Sequence, residues 1–69
     1  MVKIKVSELL GKYKMSRTEL SRITGIRINT ISALYYETIK RLDVDMINSL
    51  CKAFNCHVSD LIEYIPDKE

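Results

Sequence analysis

The chain has 69 residues, a net charge of +2 and 46% apolar side chains, which is material for one domain, residues 1–69, and little else. At this size only about 60% of the unfolded surface is buried on folding, so the core needs nearly every aliphatic residue and a deep substrate cleft is hard to build. No paired carboxylates, nucleophile–base set or phosphate loop is visible, so an enzyme lacks support and no cofactor or small-molecule ligand is expected.

The distribution of charge says more than its sum. Residues 1–41 carry nine of the eleven Lys and Arg against three Glu, giving +6, whereas residues 42–69 come to −4. A basic half backed by an acidic one suits a polyanion-binding face. The plainer alternative is two solvated surfaces segregated by chance.

Met1 to Val6 alternates apolar and basic, the two-residue period of a half-buried strand. A lone strand needs a partner, and the remaining candidate is Ile62 to Ile65, before Pro66. The two segments are expected to pair, within one chain or across a dimer. Ser7 is a plausible N-cap for a first helix carrying Leu9, Leu10 and Tyr13, weakened by Gly11.

Residues 16–36 are the most informative stretch. Ser16, with Glu19 three residues on, has the spacing of a capping box, and Met15 and Leu20 stand at hydrophobic-staple positions. A helix therefore starts at Arg17, with Leu20, Ile23 and Thr24 as its inward stripe, and stops near Gly25, a ready left-handed terminator. Periodicity resumes with Ile31, Leu34 and Tyr35. The turn of Gly25, Ile26 and Arg27 is too short for the helices to lie flat, so they must cross steeply with Ile26 in the angle. This is a helix-turn-helix unit.

Glu37 to Leu42 reads as a loop. Asp43 caps a fourth helix, with Leu42 and Ile47 as staple, a stripe of Ile47, Leu50, Cys51 and Phe54, and Asn55 as terminator. Ser59 is expected to cap a short last helix with Leu61 and Ile62 turned inward, and Asp67 to Glu69 to fray. Cys51, Cys56 and His57 lack a fourth ligand and the paired spacing of a zinc site, so the cysteines read as small hydrophobes and no metal is expected. With no signal-like or membrane-length apolar run, the expected compartment is the cytoplasm and no membrane partner is expected.

The run TELSRITGIRINTIS (residues 18–32), followed by DMINSLCKAFNCHVSDLI (45–62), resembles the Cro/cI-type (lambda-repressor-like, Xre) DNA-binding domains in order and spacing over roughly residues 6–63. The resemblance implies an all-α, five-helix domain, here with short terminal strands, acting as a sequence-specific double-stranded DNA-binding transcriptional regulator. It further implies near-palindromic operators and a weak homodimer formed through the last helix or the terminal strands; repression by occlusion is the simplest mechanism, with activation the alternative. A protein-interaction module of the same fold, antitoxin-like or polymerase-docking, is the alternative.

Removing the core stripe from the second helix of the pair, about residues 28–36, leaves Ile28, Asn29, Ser32, Ala33 and Tyr36 outside, with Arg27 and Thr30 at its mouth. Asn29 can bind adenine N6 and N7, Arg27 guanine O6 and N7, and Ile28 and Ala33 a thymine methyl, while Thr30 and Ser32 are small donors. Ile28 is equally suited to the core. By resemblance, the base-contacting positions fall on Ile28, Asn29, Ser32 and Ala33, with Tyr36 at the far end.

Phosphates are expected at the start of the preceding helix, where free N–H groups and the dipole favour an anion, from Lys14, Ser16 and Arg17. Lys40 and Arg41 form the second clamp. Two departures from the family pattern stand out. Arg27 replaces a small capping residue and cannot cap. Glu37 replaces a frequent glycine, which implies a longer reading helix and an acid that Lys40 or Arg41 must neutralise.

Overall fold

A computed structural model describes residues 1–66; the expected acidic tail, Asp67 to Glu69, lies outside them. Five helices and a two-stranded sheet follow in the order β1 (Val2–Ile4), α1 (Val6–Lys12), α2 (Arg17–Thr24), α3 (Ile28–Tyr35), α4 (Val44–Phe54), α5 (Val58–Leu61) and β2 (Ile62–Tyr64). The terminal strands pair antiparallel within the one chain, Val2 opposite Tyr64 and Ile4 opposite Ile62. The ladder runs on at both ends: Ile65 N–H donates to the Met1 carbonyl at 2.7 Å and Lys5 N–H to the Leu61 carbonyl at 2.8 Å.

Leu20, Ile31, Leu34, Leu50, Phe54 and Leu61 are fully buried, joined by Ile4, Val6, Leu9 and Leu10. Every element except β2 contributes to this core, and Ile62 of β2 packs half-buried against it. Met15, Ile26, Leu42, Ile47 and Cys51 pack against it half-buried, as their stripes and staples predicted. Tyr13 caps the end of α1 and stacks on Phe54 with ring centroids 5.9 Å apart. No described helix is long and apolar enough to cross a membrane.

The helix ends follow local chemistry where the expected caps hold. Ser16 Oγ accepts Glu19 N–H at 3.0 Å and Asp43 Oδ1 accepts Met46 N–H at 2.7 Å. Gly25 and Asn55 close α2 and α4 in the left-handed conformation.

Four expectations need correction. Ser7 is not a cap: α1 begins one residue earlier, at Val6, after Lys5, whose N–H is bound to Leu61. Ser59 lies inside α5, which starts after His57; there His57 N–H donates to Asp60 Oδ2 at 3.1 Å. Ile62 turns inward as expected, packed half-buried on the core, but it is the first residue of β2 and not part of α5. Ile23, expected in the core stripe, is 43% exposed. Of that stripe only Leu20 is buried and Thr24 half-buried.

Candidate nucleic-acid interface

The α2–α3 turn is fixed by two side chains that periodicity alone did not single out. Ser21 Oγ donates to the Ile26 carbonyl at 2.5 Å. Thr24 Oγ1 donates to the Leu20 carbonyl at 2.7 Å and accepts Ile26 N–H at 3.2 Å. With Gly25 at φ 75° and Ile26 packed on the core, these bonds hold the angle between the helices. Hydroxyl groups of α2 thus satisfy both backbone polar groups of Ile26 in the turn.

Ile31 and Leu34 anchor α3 from below. Arg27, its N-cap residue, is exposed and makes no side-chain cap, as its chemistry requires. Asn29 is exposed, Ile28 is 43% exposed and Tyr36 is 62% exposed, whereas Thr30, Ser32 and Ala33 are half-buried. The sequence-predicted surface of α3 is therefore graded: open at its N-terminal end and at Tyr36, and tighter between.

Arg17 reaches across to Ser32 in that tighter middle. Its guanidinium leaves the first turn of α2, donates to Ser32 Oγ at 3.3 Å, and lies over the rings of Tyr35 and Tyr36, 4.9 and 5.4 Å from their centroids. The two rings meet edge to face, 5.0 Å apart. A planar cation on two aromatic faces is held electrostatically and loses little further freedom on binding an anion. Sequence spacing gave no sign of this contact, since Arg17 and Tyr35 meet only through the tertiary fold.

Lys14, Ser16, Arg17 and Tyr35 share the rim of one open depression of about 410 Å³. Lys14 follows α1 at φ 53°; its N–H donates to the Gly11 carbonyl and Met15 N–H to the Leu10 carbonyl, the paired bonds of a Schellman end. Ser16 Oγ is already committed to Glu19 N–H, and the Glu19 carboxylate, expected to reach back to Ser16, grips Arg22 instead. Lys40 and Arg41 are exposed beyond the far end of α3, by a second groove of about 260 Å³.

The described ion pairs separate the cations into two sets. Lys3 is paired with Glu8 at 3.1 Å, Lys5 with Glu63 at 3.6 Å, and Arg22 with Glu19. None of these pairs involves Lys14, Arg17, Arg27, Lys40 or Arg41, the five cations singled out from sequence.

Glu37 overturns the expectation of a longer α3. The helix ends at Tyr35, and Glu37 takes the left-handed position at φ 58° that glycine would fill. Glu37 N–H donates to the Leu34 carbonyl and Thr38 N–H to the Ala33 carbonyl, a complete Schellman end. Among the described ion pairs its carboxylate joins neither Lys40 nor Arg41; Oε1 accepts Ile4 N–H at 3.0 Å.

Away from this face, Cys51 and Cys56 are free thiols, half-buried where α4 ends. Burial, followed by the neighbouring Cys51 thiol, pushes the Cys56 thiol above its ordinary pKa. Among the described residues no three His, Cys, Asp or Glu side chains cluster in a way that would hold a metal ion.

Residues 5–67 match the Cro/C1-type HTH DNA-binding domain family. The chain is also similar to the uncharacterized HTH-type transcriptional regulator YozG of Bacillus subtilis (strain 168). Identity is 35% over 66 residues, spanning 96% of this chain and 79% of that protein.

Proposed function

From the Cro/C1-type HTH DNA-binding family, to which this chain belongs, we propose a double-stranded DNA-binding transcriptional regulator that reads sequence with α3 and represses by occluding its site. One observation carries the reading furthest: α3 presents Arg27, Ile28 and Asn29 exposed, and Lys14, Arg17, Arg27, Lys40 and Arg41 take part in none of the described ion pairs.

An α-helix fits the major groove and presents its N-terminal residues to base edges. Asn29 addresses adenine N6 and N7, and Arg27 guanine O6 and N7. Ile28 and Ala33 meet thymine methyl groups, and Thr30 donates at the mouth of the helix. Ser32 accepts from Arg17 and keeps its hydroxyl proton for a base or phosphate. Tyr36 donates to a phosphate at the far end. Lys14, Arg17 and the free N–H groups after Ser16 grip one stretch of backbone, while Lys40 and Arg41 grip another.

Reading a near-palindromic operator calls for two copies of the chain. The exposed apolar residues of the terminal sheet, Val2 and Tyr64 on one face and Ile65 on the other, offer a surface for weak self-association. A regulator of this kind acts in the cytoplasm.

Salt dependence tests the proposal. About 4 to 6 phosphate contacts give a log–log slope of affinity against salt of roughly −4 to −5. Absence of duplex binding at moderate salt would overturn the reading and assign the same surface to a protein partner.

A further inference from the structure

We propose that Glu37 is a positioning residue: its carboxylate fastens the free edge of the terminal sheet to the end of α3, and so sets the Lys40–Arg41 segment in place for backbone phosphates. The inference rests on the DNA-binding reading and extends it to a residue in which an acid would otherwise oppose binding.

Three observations carry it. Lys5 and Met1 bond across to Leu61 and Ile65, the residues that flank β2. In an antiparallel pair the bonded residues alternate, so the intervening Ile4 N–H points away from β2 toward the open edge. A buried donor there needs a partner, and Ile4 is 8% exposed. The Glu37 carboxylate supplies it at 3.0 Å, in a partly buried bond spanning 33 residues of sequence.

Next, Glu37 holds φ 58°, a region that disfavours any residue with a Cβ, where glycine would be relaxed. Glycine offers no carboxylate. The costlier residue is the one that can reach β1.

Finally, the chain from Thr38 to Leu42 has no regular secondary structure, and Ile39 and Leu42 pack half-buried on the core. Val2, Ile4, Glu37, Lys40 and Arg41 border one groove, which places the tie and the two cations side by side. The carboxylate is turned to a backbone N–H, and no described ion pair joins it to Lys40 or Arg41. Those cations remain available to phosphate.

The test compares Glu37→Gln with Glu37→Ala in the full chain. Both are neutral, so any relief of repulsion toward DNA is shared; Gln keeps an acceptor oxygen for Ile4 and Ala does not. The probe is a mixed-sequence duplex of about two helical turns, titrated across salt. Glu37→Ala is expected to bind several-fold more weakly than Glu37→Gln, with a salt slope flatter by about one. Amide exchange at Ile4 should be slow in the native chain and in Glu37→Gln, and fast in Glu37→Ala. Equal affinities and slopes for the two variants, with both fully folded by circular dichroism, would overturn the positioning role. Unchanged Ile4 exchange in Glu37→Ala would overturn the tie itself. Failure of the native chain to bind the duplex would instead remove the DNA-binding reading, whatever the exchange data show.

Discussion

Arg17, in the first turn of α2, donates to Ser32 Oγ, in the middle of α3, at 3.3 Å while its guanidinium lies over Tyr35 and Tyr36. One side chain thus joins the start of one helix to the outer flank of the next. The contact needs a planar fork as well as a charge, and lysine provides only the charge. Arg17→Lys is expected to cost about 0.5–1 kcal/mol of stability through the lost stacking. Its salt slope should stay the same, while Arg17→Ala flattens the slope by about one. Denaturant titration and salt-dependent binding check this, and an Arg17→Lys protein equal to the native chain in both would show the contact to be idle.

Asn29 is exposed, and among the described residues its side chain has no hydrogen-bond partner. Its replacement by alanine should leave the melting temperature unchanged and cost about 1–3 kcal/mol of binding, concentrated at a single base pair. Measuring affinity on a set of duplexes changed one position at a time is the check. A uniform loss on all of them would reassign Asn29 to the DNA backbone.

The two glycines should respond in opposite directions. At both, an added Cβ meets no atom within 4 Å, so conformation alone decides. Gly11 lies inside α1 and is exposed, and Gly11→Ala should raise stability by about 0.5–1 kcal/mol. Gly25 sits at φ 75°, and Gly25→Ala should lower stability by about 1–2 kcal/mol. Chemical denaturation of both variants with unchanged m-values is the measurement; stabilisation by Gly25→Ala would contradict the turn geometry.

The Cys56 thiol, raised by burial and by Cys51, is mostly protonated near neutral pH, and the thiolate is the reactive form. Alkylation of Cys56 in the folded chain should therefore be slower than in denaturant and should accelerate as pH rises. Timed labelling with mass detection in a Cys51→Ser background reads the rate. Faster labelling in the folded state would reverse the assignment.

The sequence carried those features that depend on near neighbours. Ser16, Gly25, Asp43 and Asn55 act within one turn of where they stand, and each sits at the helix end expected of it. The serines at 7 and 59 misled for the opposite reason. Sheet register places Lys5 against Leu61, and the Asp60 carboxylate meets His57, so the helices begin one residue before the better local capper. Glu37 was hidden because local propensity favours glycine at a left-handed position, whereas Ile4, 33 residues away, supplies the reason for an acid. The same holds for the Arg17 contact with Tyr35. The polar edge of α3 was legible because removing the apolar stripe needs only a helical period. The half-burial of Ser32 and its bond to Arg17 needed the fold.

The central claim is that the outer edge of α3 enters a duplex and distinguishes its bases. Selection from a pool of random duplexes, run in parallel with the native chain and with Asn29→Ala, tests it most directly. The account predicts a defined, near-palindromic consensus for the native chain and the loss of one symmetry-related position of that consensus for the variant. Recovery of no consensus by the native chain, or of an identical one by both proteins, would contradict it.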